Sequence, residues 1–436
     1  MARHLDATKP QFNEALTRFL AEDRGQGDDV FGVVKDILAD VRKRGGAAVA
    51  DYTAKFDGLQ LDPSTLQTDN VDLHALAATC PPDLRAAIDF AHDRIAAYHG
   101  AQRPADHRFT DDAGIELGWR WTSLDSVGVY VPGGRASYPS SVLMNIVPAR
   151  IAGVERIVMV APAPNGELSN AVAYAALKAG VDEYYPIGGA QAVGALAFGA
   201  GALVPVDKIV GPGNAWVAEA KRQVFGHVGI DTIAGPSEIL IIADATANPD
   251  WIAADLLSQA EHDPSSQSIL ITVDDAVGKA VEKAVENQLK TLLTGERARE
   301  SWINHGAIIL VRDRLQAAEV ANRIAAEHLE LCIDDPDGLL PLIRHAGAVF
   351  LGHHTPEALG DYVTGSNHVL PTSRAARFSS GLGLYDFLKR MSVQRAGPKG
   401  LEVLAPAALR LAEAERLPAH ARSVSIRTNR GGGDGQ

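Results

Sequence analysis

Cysteine is nearly absent from this chain: Cys80 and Cys332 are the two in 436 residues, and they stand far apart. That excludes a disulfide framework and a thiolate zinc cluster and suits a reducing compartment, so any metal site must draw on His, Asp, Glu or Gln. Basic charge is also short. Lys and Arg total 41 against 54 Asp and Glu, a formal net charge of −13, and no block of Lys or Arg stands out. Nucleic acid and anionic membranes are poor partners for such a surface, and small molecules are better ones. No apolar run approaches the length of a membrane-spanning helix. The opening MARHLDATKPQFNEAL has no apolar core followed by a cleavage signal, so the cytoplasm is the expected location. The chain also lacks a Walker A loop, H-E-x-x-H and G-x-S-x-G, which leaves kinase, zincin and α/β-hydrolase readings without motif support.

What is present is an ordinary globular composition, 46% hydrophobic and 22% charged, in a chain too long for one hydrophobic core. Two domains or more are expected. Residues 1–20 read as an N-terminal arm, and the chain up to about 125 repeats apolar residues at helical spacing, as in DLRAAIDFAHDRIAAYHGAQ. From 126 to 236 short apolar runs (SVGVYVPGG, RIVMVAPAP, EYYPIGG, VDKIVGPG) alternate with helical segments. A second set of runs follows (SEILIIAD, SQSILITVD, GAIILVRD, HAGAVFLG). Strand and helix in alternation predict parallel sheets with helices on both faces. The expected fold is therefore α/β, with two doubly wound Rossmann-like domains, an N-terminal helical segment and a C-terminal helical tail. Residues 21–125 with 237–380 form the main domain and 126–236 the second. The tail spans 381–436, with a helix opened by Pro406 and a disordered end, 431–436.

Several segments concentrate residues suited to chemistry. In DLLSQAEHDPSSQ, Asn248 as N-cap, Pro249 at the first position and an apolar stripe predict a helix stopped by Asp263-Pro264. Gln259 and His262, three apart at its end, leave one face with Cβ atoms roughly 5–6 Å apart, close enough to share a metal ion. Taken alone, such a pair is more often a capping or solvated pair. In AAEHLEL, Glu327 and His328 are adjacent at the end of a helical run and suit two different proton transfers. Asp361 closes a short helix begun at Thr355-Pro356, and His368 follows in a Gly/Ser/Asn loop of the kind that presents side chains to ligands. Glu415 and His420 lie in the tail. GPGNAW follows a strand and opens a helix, yet Trp216 stands where G-x-G-x-x-G needs its third glycine, so the dinucleotide fingerprint fails. PIGGAQAVGA is a similar turn without that pattern.

Taken together, GVYVPGGRASYPSSVLMN, IGGAQAVGALAFG, VDKIVGPGNAWVAEAK, AGPSEILIIAD, DLLSQAEHD, AEHLEL, GSNHVLPTSRAARFSSGL and AEAERLPAHARSV occur in an order that resembles the histidinol dehydrogenase family, over about residues 20 to 428. The resemblance implies a zinc- and NAD-dependent, four-electron oxidation of L-histidinol through histidinal to L-histidine, in a domain-swapped homodimer with one Zn2+ per subunit. It implies Gln259, His262, Asp361 and His420 as metal ligands, with His420 reaching the partner subunit, and Glu327 and His328 as the acid–base pair. Substrate contacts would come from Ser237, Gln259, His262, His328, Asp361, His368, Glu415 and His420. NAD contacts would fall on Tyr130, Gln191 and Asn214, in the turns whose glycine pattern is unorthodox. One departure is Trp216, bulkier than expected beside a nucleotide.

Elementary chemistry agrees with that ligand set. Four protein ligands usually close a structural site, whereas an amide and a carboxylate oxygen with no thiolate leave a strong Lewis acid able to expand its coordination toward a chelating substrate. A paralogous dehydrogenase of another polar alcohol, such as a sulfonated diol, competes. So does a zinc hydrolase with Glu327 as base, in which the glycine turns are merely structural.

Overall fold

The computed structural model describes residues 2–22, 24, 30–68, 72–133 and 138–428. They form two compact units, Met1–Gln102 with Leu124–Phe387, and Arg103–Ser123 with Leu388–Gln436. Among the described residues the first unit holds two parallel sheets and the second a three-stranded antiparallel one.

The larger sheet joins β1 (Arg3–Asp6), β9 (Glu238–Ala243), β10 (Gln267–Thr272), β11 (Ala307–Leu310), β12 (His328–Cys332) and β13 (Ala348–Leu351) in the order β1-β11-β10-β9-β12-β13. Every residue of EILIIA and QSILIT is buried. The apolar cores of these strands, ILIIA and ILI, are what a parallel strand covered on both faces requires. Alternate side chains go to opposite cores. Leu240, Ile242, Ile269 and Ile271 pack with Phe12, Leu16, Phe19 and the helix Arg314–Ile324. Ile239, Ile241 and Leu270 pack with the helix Pro249–Ala260 and Trp302.

The smaller sheet joins β4 (Ser126–Tyr130), β5 (Arg156–Val160), β6 (Glu183–Tyr185), β7 (Lys208–Val210) and β8 (Gly229–Ile230) in the order β6-β5-β4-β7-β8. The winding starts at β4, runs out to β6, then returns to β7 on the other side. That reversal opens a crevice at the carboxyl ends of β4 and β7, where doubly wound sheets bind ligands. The helices Phe31–Arg44 and Gly46–Asp57 pack on the helices of this sheet, as do Leu73–Ala78 and Pro82–Gly100. Pro82–Gly100 also touches the region around Asp361, because Arg94 donates from Nε and Nη2 to the carbonyls of Val363 and Thr364 at 2.5 and 3.1 Å. Grouping 21–125 with 237–380 as one domain remains a proposal.

In the second unit β2 (His107–Thr110) and β14 (Leu388–Arg395) flank β3 (Glu116–Ser123), and the tail continues as helices Pro398–Ala414 and Pro418–Ser425. The expected disordered end, 431–436, lies outside the described residues. Among those described, no helix is long and apolar enough to cross a membrane.

Four local expectations are corrected. The N-terminal arm begins with a strand, β1, paired with β11. The stretch before 125, read as helical, contains β2 and β3. Pro406 lies inside the helix Pro398–Ala414, which Pro398 opens. Finally, HLELC is a strand between β9 and β13 and not a helix end. The preceding helix stops at Ile324 because Ala325 takes a left-handed conformation (φ 52°, ψ 52°). An alanine there carries no signal of the kind glycine gives.

Candidate active site

The amino ends of β9 and β12 meet the carboxyl ends of β4 and β7 around a cavity of about 370 Å³, lined by Ser237, Gln259, His262, Glu327, His328 and Asp361 among others. The cavity thus lies at the amino edge of the larger sheet and the carboxyl edge of the smaller one.

Gln259 stands at the end of the helix Pro249–Ala260, which Asn248 caps by accepting the Asp250 N–H. Its side chain is 0% exposed, yet neither amide atom has a hydrogen-bond partner among the described residues. A buried, unsatisfied amide costs free energy comparable to a lost hydrogen bond, so this one is built to meet something. His262 follows in the turn after the helix, exposed at the rim.

Asp361 lies on the helix Glu357–Tyr362. One turn before it, Glu357 points the same way and is 2% exposed, with Oε2 unpartnered. Donor atoms of His262, Glu357 and Asp361 lie within 4.8 Å of one another. Sequence reading passed over Glu357, although its i, i+4 spacing to Asp361 was the available signal. Burial pushes the Asp361 carboxyl up to about 7. Burial first, and then the charges of Asp361 and Glu330, push Glu357 well above the ordinary carboxylate range. Such a cluster calls for a compensating cation or protons. One imidazole, two carboxylates and an amide oxygen, with no thiolate, fit a divalent cation such as zinc.

Glu327 and His328 enter from the start of β12. Glu327 Oε2 accepts the backbone N–H of Glu238 at 3.0 Å, and His328 Nδ1 donates to the Glu238 carbonyl at 3.0 Å. The carbonyl assigns the His328 tautomer, which leaves the Nε2 lone pair free. That Nε2 has no hydrogen-bond partner among the described residues and stands 3.8 Å from Asp361 Oδ1. Burial pushes the His328 imidazole down to about 3, so it is neutral, while burial pushes the Glu327 carboxyl well up. His368 Nδ1 donates to the Asp361 carbonyl at 3.1 Å, and its Nε2 lies 3.4 Å from Ser141 Oγ. Burial pushes this imidazole down to about 4.

Tyr130, Gln191 and Asn214 stand at the carboxyl end of the smaller sheet. Tyr130 Oη accepts the Gly189 N–H at 3.1 Å, and burial pushes the phenol up to about 12. Gln191 is buried beside Gly189, and Asn214 caps the helix Ala215–Val224 through the Val217 N–H. None of the three lines the cavity, but Pro132, Gly211, Pro212 and Gly213 of the adjoining turns do. Gly211 has φ +114°, and a Cβ there would fall 2.1 Å from the Tyr130 carbonyl oxygen, so only glycine lets β7 approach β4 this closely. Trp216 is 38% exposed in the first turn of its helix. Glu415 and His420 lie on the helical tail of the second unit, both exposed. The residues lining the cavity come from the first unit.

Comparison with known proteins agrees over the length of the chain. Residues 21–428 match the family model for histidinol dehydrogenase. Histidinol dehydrogenase of Mesorhizobium japonicum is 58% identical over 429 residues, 98% of this chain and 100% of that protein. The Rhizobium meliloti protein of the same name is 57% identical over 431 residues, 99% of each. A crystal structure of histidinol dehydrogenase from Elizabethkingia anophelis matches with a TM-score of 0.93 at 34% identity, covering 98% of each chain. This chain belongs to the histidinol dehydrogenase family, a family of oxidoreductases.

Proposed function

We propose that this protein oxidises L-histidinol through L-histidinal to L-histidine, passing two hydrides to NAD, as a domain-swapped homodimer holding one zinc ion per subunit. The observation that carries this reading is the meeting, in one cavity, of a neutral imidazole, a buried carboxyl and an unpartnered amide beside His262 and Asp361. Gln259, His262 and Asp361 would hold the metal, with Glu357 at hand and His420 supplied by the partner chain. Tyr130, Gln191 and Asn214 would hold the dinucleotide. When bound, zinc supplies a Lewis acid that anchors the imidazole and amine of the substrate, and the nicotinamide supplies the hydride acceptor.

The chain's own residues do the rest. His328 Nε2 takes the hydroxyl proton of histidinol as the carbinol hydrogen leaves. Glu327 then draws a proton from the water that adds to the aldehyde, and His328 Nε2 accepts the hydroxyl proton of the hydrate in the second oxidation. The tautomer set by the Glu238 carbonyl serves both oxidations. Ser237, His368 and Glu415 would orient the substrate. Burial excludes competing water from the pair.

The NADH yield per histidinol consumed tests the reading. Two per molecule is expected. A yield of one would mean that the reaction stops at the aldehyde, and no NADH formation would refute the proposal.

A further inference from the structure

Both acid–base residues are held by one residue that contributes no side chain to the cavity. Glu238, the first residue of β9, gives its N–H to Glu327 Oε2 and its carbonyl to His328 Nδ1, each at 3.0 Å. The orientation of its two flanking peptide planes therefore sets the direction of the Glu327 carboxyl and the tautomer of His328. The Glu238 side chain points the other way and is 5% exposed. There it forms a buried ion pair with Arg24, itself 10% exposed, and Glu238 Oε1 accepts the Ser373 N–H at 3.2 Å. Ser373 and Arg374 hold φ of 52° and 64°, a left-handed conformation that L residues rarely adopt. Strain of this kind persists where the surroundings over-determine it. One residue earlier, Thr372 Oγ1 accepts the Gly235 N–H at 2.6 Å, so the same segment fixes the chain on both sides of Ser237.

Resting on the acid–base roles proposed above, we propose that Arg24 and Glu238 are positioning residues: their ion pair, anchored by the strained Ser373 turn, locks the Glu238 peptides that aim Glu327 and His328. A strand end can fray, and a small misplacement of reacting groups costs up to about a hundredfold in rate. An ion pair buried behind the strand suppresses that freedom.

The test separates positioning from stability. Replacing a buried ion pair by apolar residues of similar volume is often neutral for the fold. The double variant Arg24→Met/Glu238→Met should therefore keep its thermal midpoint and metal content, and KM for histidinol should stay within about twofold. Its kcat should fall roughly tenfold to a hundredfold. Glu238→Gln, which keeps an acceptor for Ser373 and Arg24, should retain kcat within about threefold. Combined with Glu327→Gln, the double variant should slow histidinal oxidation less than multiplicatively, because both lesions act through the same carboxyl. A well-folded double variant with unchanged kcat overturns the inference, as does a fully multiplicative loss with Glu327→Gln. If the double variant does not fold, Arg24→Met/Glu238→Gln, which leaves no buried charge unpaired and keeps the acceptor for Ser373, is read by the same criteria. Should Glu327→Gln by itself leave histidinal oxidation at the parent rate, the base assignment fails and the inference fails with it. A slow Glu327→Gln beside a fast double variant refutes only the positioning role.

Discussion

Exchanging Glu327 for Gln removes one proton acceptor and almost nothing else. The side chain is buried and its ordinary charge is already disfavoured there, so a neutral amide of the same shape relieves a desolvation cost and leaves the packing intact. The Glu238 N–H, which donates to Glu327 Oε2 at 3.0 Å, finds the amide oxygen in the same place. A neutral hydrogen bond contributes about 1 kcal/mol, so stability should change by no more than roughly that amount. The rate effect is much larger and falls on one step. A positioned general base contributes about 10²–10⁴-fold, or roughly 3–5 kcal/mol of barrier. In the mechanism proposed above, only aldehyde hydration calls on Glu327, whereas both oxidations call on His328. Rapid mixing of excess Glu327→Gln enzyme with histidinol and NAD should give a first NADH phase at the parent rate. A second phase should follow, slowed at least about a hundredfold, with histidinal accumulating between them. Starting from histidinal, only the slow phase should be seen. Two phases at parent rates would refute the assignment. Equal slowing of both would show that Glu327 serves the site as a whole and not the water.

Other expectations follow from the same geometry. Glu357→Gln should weaken retention of the proposed divalent ion by roughly 10–100-fold, read as metal content after dialysis against a chelator, because its carboxyl faces His262 and Asp361 within 4.8 Å. Unchanged retention would remove Glu357 from the site. Asp255 is pushed up to about 6 by burial, so its ionisation costs the folded state stability. That cost is absent below about pH 4, grows between about pH 4 and 6, and levels off above that at no more than about 2–3 kcal/mol. Asp255→Asn should raise the thermal midpoint at pH 8 and leave it nearly unchanged at pH 4, whereas equal shifts at both would contradict the argument. Mixed His262→Asn and His420→Asn chains should form hybrid dimers that regain activity at one intact site. Proven hybrids without activity would place His420 in its own subunit.

The chain wrote much of its local structure plainly. Asn248 and Pro249 start the helix that ends at Gln259, as capping chemistry requires, and runs such as EILIIA and SQSILITV could be little other than strands buried on both faces. Asp361 and its short helix were legible from Pro356 onward. The β12 strand was not, since IAAEH continues a helical pattern and the break rests on an alanine in a left-handed conformation. Strand β1 was hidden for a related reason: a four-residue polar segment, RHLD, becomes a strand only because the open edge of β11 is there to pair with it.

Chemistry of the residue types, scarcity of thiols, and the alternation of buried strands with capped helices from residue 126 to about 310 were set by the sequence alone, because capping, alternation and turn formation act over a few neighbours. Which carboxyls gather around His262, which peptide holds Glu327 and His328, and which sheet edges face each other were decided only in three dimensions. Glu238 and Glu327 are 89 positions apart, and their contact forms because β9 and β12 pair in parallel. The perturbed acidities of Glu327, His328 and Asp361 likewise come from burial, which no short segment can provide for itself.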